Sequence, residues 1–324
     1  MRAVVVTKTG GPEVLVAQDR PTPRPGPGEL RVDVAAAGVN FIDVYFRTGA
    51  YPMPPPFIAG SEGAGVVSAV GSGVTDLHEG DHVAWAMVPG AGYAGQVIVP
   101  LDRAVPVPAG IDDETAGAVL LQGLTAHYLT RSTYPVRSGE TALVHAAAGG
   151  VGLLLTQVLS SMGVRVIATT STPFKEALAR EAGAAEVIRY DREDVSTKVA
   201  RLTGARGVDV VYDGVGRATF EGSIDSLRPR GMLVSYGSAS GKVAPVDPTL
   251  LMSKGSLFFT RPTLAHYVAT RDELLERSRE LFGWVASGQL SVRVGARYTL
   301  DQARKAHEDL ENRGTTGKSL IIPG

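Results

Sequence analysis

The stretch LVHAAAGGVGLLLTQV, residues 143–158, runs an apolar strand into a glycine turn and then into an apolar helix. Amides at a helix N-terminus lack internal partners and carry positive potential, so a turn of this kind suits a pyrophosphate. In the dinucleotide-binding pattern G-x-G-x-x-G, Gly149 and Gly152 take the second and third places and Ala147 takes the first. The second glycine lets the backbone approach phosphate, and the third lets the helix pack closely on the strand. Ala147 is tolerated if the turn needs no positive φ there, a conformation that would cost alanine about 1 kcal/mol. A glycine-rich strand-to-helix turn is also a plain packing device, so the rest of the chain has to decide between the two.

Around this turn the apolar runs TALVHA, VRVIATT, AEVIRY, VDVVYDGV, GMLVSYG and SLFFT alternate with segments of helical period such as LLLTQVLSSM and TPFKEALAREAGA. That alternation is the pattern of an α/β fold with a doubly wound parallel sheet, here spanning residues 125–262. From Met1 to about Val107 the texture differs: RAVVV, ELRVDVAAAGV, GAGVVSAVG, DHVAWAMV and GQVIVP are short β-type runs broken by proline and glycine. PTPRPGPGE (21–29) and YPMPPPF (51–57) are expected to be exposed connections, and Asp112 or Asp113 to cap a helix entering at Glu114. Beyond Pro262, RDELLERSRELFGWVASG sets Leu274, Leu275, Leu281, Phe282 and Val285 near helical spacing. The closing KSLIIPG is a short β run after helices, which suggests that the tail returns to the first unit. A domain of residues 1–124 and 263–324 would then enclose a nucleotide domain of residues 125–262, and 324 residues suit two domains.

Hydrophobic residues at 44%, charged residues at 20% and a formal net charge of -1 describe an ordinary globular protein, with no general electrostatic reason to expect nucleic acid or membrane. The chain has no cysteine, which removes disulfides, thiolate nucleophiles and any zinc site that needs sulfur. Its six histidines are scattered; only His78 and His82 have helical ligand spacing, and Gly80 makes that stretch a turn, so no metal is expected. MRAVVVTKTGGPEVL has an apolar run too short for a signal-peptide core or a span, and a cytoplasmic protein is expected.

The cofactor is read at the end of the second strand, VRVIATTS (164–171). An NAD site usually has an acidic residue about 20 residues after the fingerprint, where it accepts from the ribose hydroxyls. No Asp or Glu occurs between Gly152 and Lys175, and the turn offers Ser171, Thr172 and Lys175 instead. A carboxylate would repel a 2′-phosphate, whereas hydroxyl and ammonium groups would bind it, so NADPH is expected. The competing reading is that Ser171 and Thr172 cap the next helix while Lys175 is solvated. Tyr190, ending VIRY, would lie beside the adenine-ribose end, or would be a half-buried strand-end aromatic.

Taken together, GGPEVL (10–15), AAGVNFIDVYFRTGAYP (36–52), LLQGLTAHYL (120–129), HAAAGGVG (145–152), TTSTPFK (169–175), GSLFFTRP and NRGTTGKSLIIP resemble one group. It is the zinc-independent NADPH:quinone oxidoreductases, the zeta-crystallin-like branch of the medium-chain dehydrogenase/reductase superfamily, and the resemblance covers essentially the whole chain. It implies a GroES-like β-rich domain built from both chain ends around a Rossmann domain. It also implies NADPH contacts at Phe41, Ile42, Asp43, Val44, Tyr45, Tyr128, Gly149, Gly150, Val151, Gly152, Ser171, Thr172, Lys175, Tyr190 and Val215. Further contacts are implied at Gly237, Ser238, Ala239, Ser240, Gly241, Pro262, Thr263, Leu264, Ala265 and Arg313. Zinc-dependent relatives place catalytic ligands at positions that look like Asn40, Ser61 and Gln122, none of which is a thiolate or imidazole.

The resulting expectation is hydride transfer from NADPH to a quinone, an acceptor electrophilic enough to need little Lewis-acid help. Asn40, Tyr45 and Tyr51 are the candidates to line the substrate side, with hydrogen bonds to a carbonyl and flat apolar faces. The alternatives are reduction of an activated double bond in an enone or 2-alkenal, and an NADPH-binding protein of low turnover with a structural or RNA-binding role. GSLFFT (255–260), as the last strand of the parallel sheet, would leave an edge through which two copies pair as a homodimer.

Overall fold

The structure, a computed structural model, describes all residues 1–324 and divides into two compact units. One unit holds Met1–Leu124, Tyr267–Gly288 and Val292–Gly324; the other holds Thr125–His266 and Gln289–Ser291. The four residues 263–266 thus fall with the second unit.

Six strands form the sheet of the second unit: Thr141–Val144, Arg165–Thr170, Glu186–Arg189, Val208–Asp213, Leu227–Ser235 and Phe258–Thr260. All their pairings are parallel. Numbered within the unit, their order is 3-2-1-4-5-6, the doubly wound arrangement. The first and fourth strands are buried throughout, as parallel strands covered by helices on both faces must be. Leu143, Ile167, Ile188, Val211 and Leu233 make the core with Val199 and Ile224 from the flanking helices. Phe258–Thr260 pairs only with Leu227–Ser235 and is therefore an edge.

The other unit is β-rich. Its central strand, Glu29–Val39, alternates between buried and open positions in its first half and is buried in its last four residues. It pairs antiparallel with Glu62–Val70, Gln96–Pro100 and Lys318–Ile321. The last pairing sets Ser319 opposite Val39, Leu320 opposite Gly38 and Ile321 opposite Ala37, so the returning tail completes the sheet. Val4, Leu30, Val32, Trp85 and Tyr93 from the first hundred residues pack with Leu300, Ala306 and Ile321 from the tail. The helix Arg271–Ala286 begins with a capping box, Thr270 with Glu273, and buries Leu274, Leu281 and Phe282. Trp284 and Ser278 are buried beside them, while Leu275 and Val285 are half-buried. Asp112 caps the helix Asp113–Tyr128 by accepting from the Thr115 N–H at 2.7 Å. The proline-rich stretch before Glu29 has no regular structure, whereas YPMPPPF ends in a short strand, Phe57–Ile58. No helix of the chain is long and apolar enough to cross a membrane.

Candidate active site

In the nucleotide-type unit, the helix Gly150–Ser161 starts from Gly149 with no side chain capping it, so the amides of its first turn are open. A Cβ on Gly152 would sit 2.7 Å from Ala147 Cα and press on the Ala146 carbonyl, so the helix approaches the strand end as only glycine allows. Ala147 is not at positive φ; the left-handed residue is Ala146, at φ 50°. Ala147 is thus free of the strain, as its place in the turn requires, and the cost of about 1 kcal/mol falls on Ala146 instead. It is held by three neighbouring bonds: Gly149 N to Ala146 O at 2.9 Å, Ala147 N to Thr169 O at 3.1 Å and His145 N to Tyr212 O at 3.1 Å.

The other candidate cofactor residues of this unit cluster by topology. Ser171, Tyr190, Val215, Gly237 and Pro262 each follow the C-terminal end of a strand, and parallel strands bring those ends to one edge of the sheet. Tyr190 N bonds Thr170 O at 3.1 Å, and its ring is exposed. The Val215 loop and the 237–241 loop are knitted by Ser240, whose N–H and hydroxyl both donate to Val215 O at 2.8 Å. Thr263 and Leu264 open a short 3-10 turn in which Leu264 is buried. Tyr128 closes the helix Asp113–Tyr128 and is buried. At the second strand end the hydroxyl roles divide. Thr172 is the N-cap of the helix Pro173–Glu181 and accepts from Lys175 N at 3.2 Å, while Ser171 and the Lys175 side chain keep partial exposure.

A buried cluster at these strand ends was not legible in the sequence. Ser223 Oγ donates to Asp213 Oδ2 at 2.9 Å, so it must accept from His145 Nε2 at 3.0 Å, which leaves His145 Nδ1 to accept from Thr169 Oγ1 at 3.1 Å. Burial pushes the His145 pKa down, against the pull of Asp213. Asp213 also accepts from Val215 N at 2.7 Å and Gly216 N at 3.0 Å, which fixes the loop after the fourth strand. The cluster ties the first, second and fourth strands beneath the turn where the strand order reverses.

In the β-rich unit, Asn40 caps the helix Phe41–Thr48, and that helix with the loop after it gathers the aromatic candidates. Tyr45 lies 5.1 Å from Tyr51 and 6.4 Å from Phe41 between ring centroids, and Tyr51 meets Phe46 edge-on at 5.9 Å. Tyr51 N is anchored to Tyr45 O at 3.0 Å. The result is one aromatic face built on a short helix. Arg313 lies exposed after the helix Ala303–Glu311, with φ 58°.

Asp43 faces inward. Its carboxylate accepts from Asn40 N at 3.0 Å, Ser61 Oγ at 2.8 Å and Tyr93 OH at 3.0 Å. Burial raises its pKa to about 6, and the three hydrogen bonds hold it from going higher. Because Tyr93 donates to Asp43, it accepts from His307 Nε2 at 3.1 Å, and His307 Nδ1 accepts from Arg47 Nη1 at 3.1 Å. Arg47 closes the chain with a two-pronged pair to Glu311 at 2.9 and 2.8 Å. Burial, then Arg47, lowers the His307 pKa to about 3. The Asp43 side chain is thus engaged in anchoring the helix.

Asn40, Ser61 and Gln122, the positions that the resemblance sets against zinc ligands, are all hydrogen-bonded to protein. Asn40 Nδ2 donates to Glu62 Oε1 at 2.8 Å and to Gly38 O at 3.3 Å. Both acceptors of the Asn40 amide nitrogen are therefore protein groups. Asn40 Oδ1 accepts from Lys318 Nζ at 2.9 Å and Gln122 Nε2 at 3.2 Å. Zinc asks for thiolate, imidazole or carboxylate in a tetrahedral set. Two amides and a hydroxyl with an ammonium already among them do not fit it, and no group of three His, Asp or Glu stands elsewhere.

Comparison with known proteins agrees with this layout. The family model described as Alcohol dehydrogenase GroES-like domain matches residues 26–109, and that described as Zinc-binding dehydrogenase matches residues 150–282. A quinone oxidoreductase of Pseudomonas aeruginosa is 48% identical over 97% of each chain. The structure of the Escherichia coli quinone oxidoreductase complexed with NADPH superposes with a TM-score of 0.96 at 44% identity, over 100% of each chain. A 2-haloacrylate reductase of a Burkholderia species is 40% identical over 99% of this chain and 98% of its own. Given matches of this extent, the chain belongs to the quinone oxidoreductase family of the medium-chain dehydrogenase/reductase superfamily.

Proposed function

We propose that the protein reduces quinones with NADPH by direct hydride transfer. The observation that carries this reading is the donor set at Asn40, Ser61 and Gln122, which suits an acceptor that needs no Lewis acid. When bound, NADPH supplies a hydride, two electrons and one proton, from nicotinamide C4. The open first turn at Gly150, Val151 and Gly152, which the backbone of Gly149 lets a phosphate approach, binds the pyrophosphate, and Ser171 with Lys175 binds the 2′-phosphate where an NAD enzyme would have a carboxylate. Val215 and the loop from Gly237 to Gly241, set by Asp213 and Ser240, shape the nicotinamide end. Phe41, Tyr45 and Tyr51, whose rings are inclined to one another by 35° and 54°, offer an aromatic wall against which a quinone ring can pack. Catalysis on this reading is positioning plus hydrogen bonding to the oxygen that gains charge.

A panel of acceptors tests it: quinones should oxidise NADPH with kcat/KM at least ~10-fold above enones and 2-alkenals. Enone turnover without quinone turnover would reject it. The second reading, double-bond reduction, is favoured by the 40% identity to a 2-haloacrylate reductase, whose named substrate is an activated alkene. We also infer a homodimer through the edge strand Phe258–Thr260, supported by Phe258, 57% exposed beside unpaired backbone.

A further inference from the structure

The buried pair Lys318 and Glu62 is hydrogen-bonded to Asn40, the N-cap of the helix that carries Phe41 and Tyr45, and hydride transfer itself gives no reason for it. Lys318 is 1% exposed and Glu62 is fully buried. Taking two charges out of water is costly unless every group is hydrogen-bonded, and these are. Glu62 Oε2 accepts from Leu121 N at 2.9 Å, while Oε1 accepts from Lys318 and from Asn40. Gly38 makes the room, since a Cβ there would collide with both charged groups.

The pair removes a choice. An ammonium only donates and a carboxylate only accepts, so Asn40 between them can hold its amide one way round. Its oxygen then faces Gln122, which can answer only with Nε2. Gln122, 8% exposed, is left with its Oε1 sealed and without any partner, and with one N–H to spare. An unpaired buried acceptor is unfavourable and calls for an explanation, because a side chain free to turn would avoid it. Here the orientation is imposed from Lys318 through Asn40.

We propose that Gln122 is the residue whose N–H meets the substrate oxygen, and that Lys318, acting with Glu62 through Asn40, is the positioning residue that keeps a donor there. The inference rests on the quinone-reductase reading. As the quinone takes the hydride, its oxygen gains negative charge and then takes a proton from water, and NADPH leaves as NADP⁺. An N–H aimed at that oxygen stabilises the charge, whereas an amide turned round would oppose it.

Three variants test this by kcat, KM and NADPH affinity measured separately. Gln122→Leu should lower kcat with quinones on the order of 100-fold, with NADPH Kd unchanged. Lys318→Met combined with Glu62→Gln, which removes both charges together, should fold with a near-native Tm yet lose roughly 10-fold in kcat. Lys318→Arg keeps the donor and should recover most of that loss. A kcat within about twofold of wild type in Gln122→Leu would overturn the role of Gln122. Full kcat in the folded double variant would overturn that of Lys318. A wild-type protein with no quinone turnover would instead reject the underlying reading, which keeps the two failures apart.

Discussion

In the function proposed above, Lys175 carries the distinction between the two nicotinamide cofactors. On the side of the turn where an NAD enzyme keeps an acid, this chain has none, and Thr172 is occupied in capping. That leaves the Lys175 ammonium as the charged group able to read a 2′-phosphate. Lys175→Ala is expected to weaken NADPH binding on the order of 10- to 100-fold, as loss of a charge-assisted bond does, and to leave NADH nearly unchanged. Titration of cofactor fluorescence checks it; equal losses for both cofactors would reject the role. The residue scale is also where the sequence was least legible. Spacing identified Gly149 and Gly152, yet it could not tell that Ala146 rather than Ala147 takes the left-handed conformation. Nor could it see that Lys318 meets Glu62 across 256 positions, or that Asp43 turns inward, because such pairings are decided by tertiary packing.

At the scale of elements the sequence said more. Six apolar runs separated by helical segments were enough to indicate a parallel sheet, because strands covered on both faces must be apolar throughout. The run GSLFFT was legible as the last of them, though only Phe258–Thr260 forms the strand. Residues 255–257 instead belong to the turn that brings it alongside Leu227–Ser235. Its free edge predicts association. Sedimentation equilibrium at micromolar concentration should give twice the chain mass, and Phe258→Lys, which puts a charge on the edge, should shift the mass toward the monomer. A wild-type monomer would reject pairing through this strand. The short helix Phe41–Thr48 was recognisable as a motif but not as a scaffold; what makes it one is the buried chain from Asp43 through Tyr93 and His307 to Arg47.

For the whole molecule, the buried ionisable groups make stability depend on pH in opposite senses. His307 stays neutral in the fold down to about 3, whereas its ordinary value is 6.5, so its contribution is present above pH 6.5 and is lost as pH falls. Asp43, raised from 3.8 to about 6, acts the other way: it costs stability as pH rises between those values. Tyr93, which touches both, is pushed well above the ordinary tyrosine range by burial and stays neutral throughout. His307→Gln keeps a donor and an acceptor but cannot titrate. Its loss of unfolding free energy between pH 7 and pH 5 should be smaller than that of wild type by about 2 kcal/mol, by denaturant titration. An identical pH slope in the two proteins would show that His307 is protonated in the fold.

The chain joins a turn built for a dinucleotide phosphate to a set of amides and an ammonium at Asn40, Gln122 and Lys318, and the central proposal drawn from them is metal-free hydride transfer. It stands or falls on NADPH-dependent quinone reduction by protein dialysed against a strong chelator and assayed for residual metal. Undiminished turnover with the metal removed is the predicted result. Loss of activity that only added zinc restores, or no oxidation of NADPH by any quinone, would contradict it.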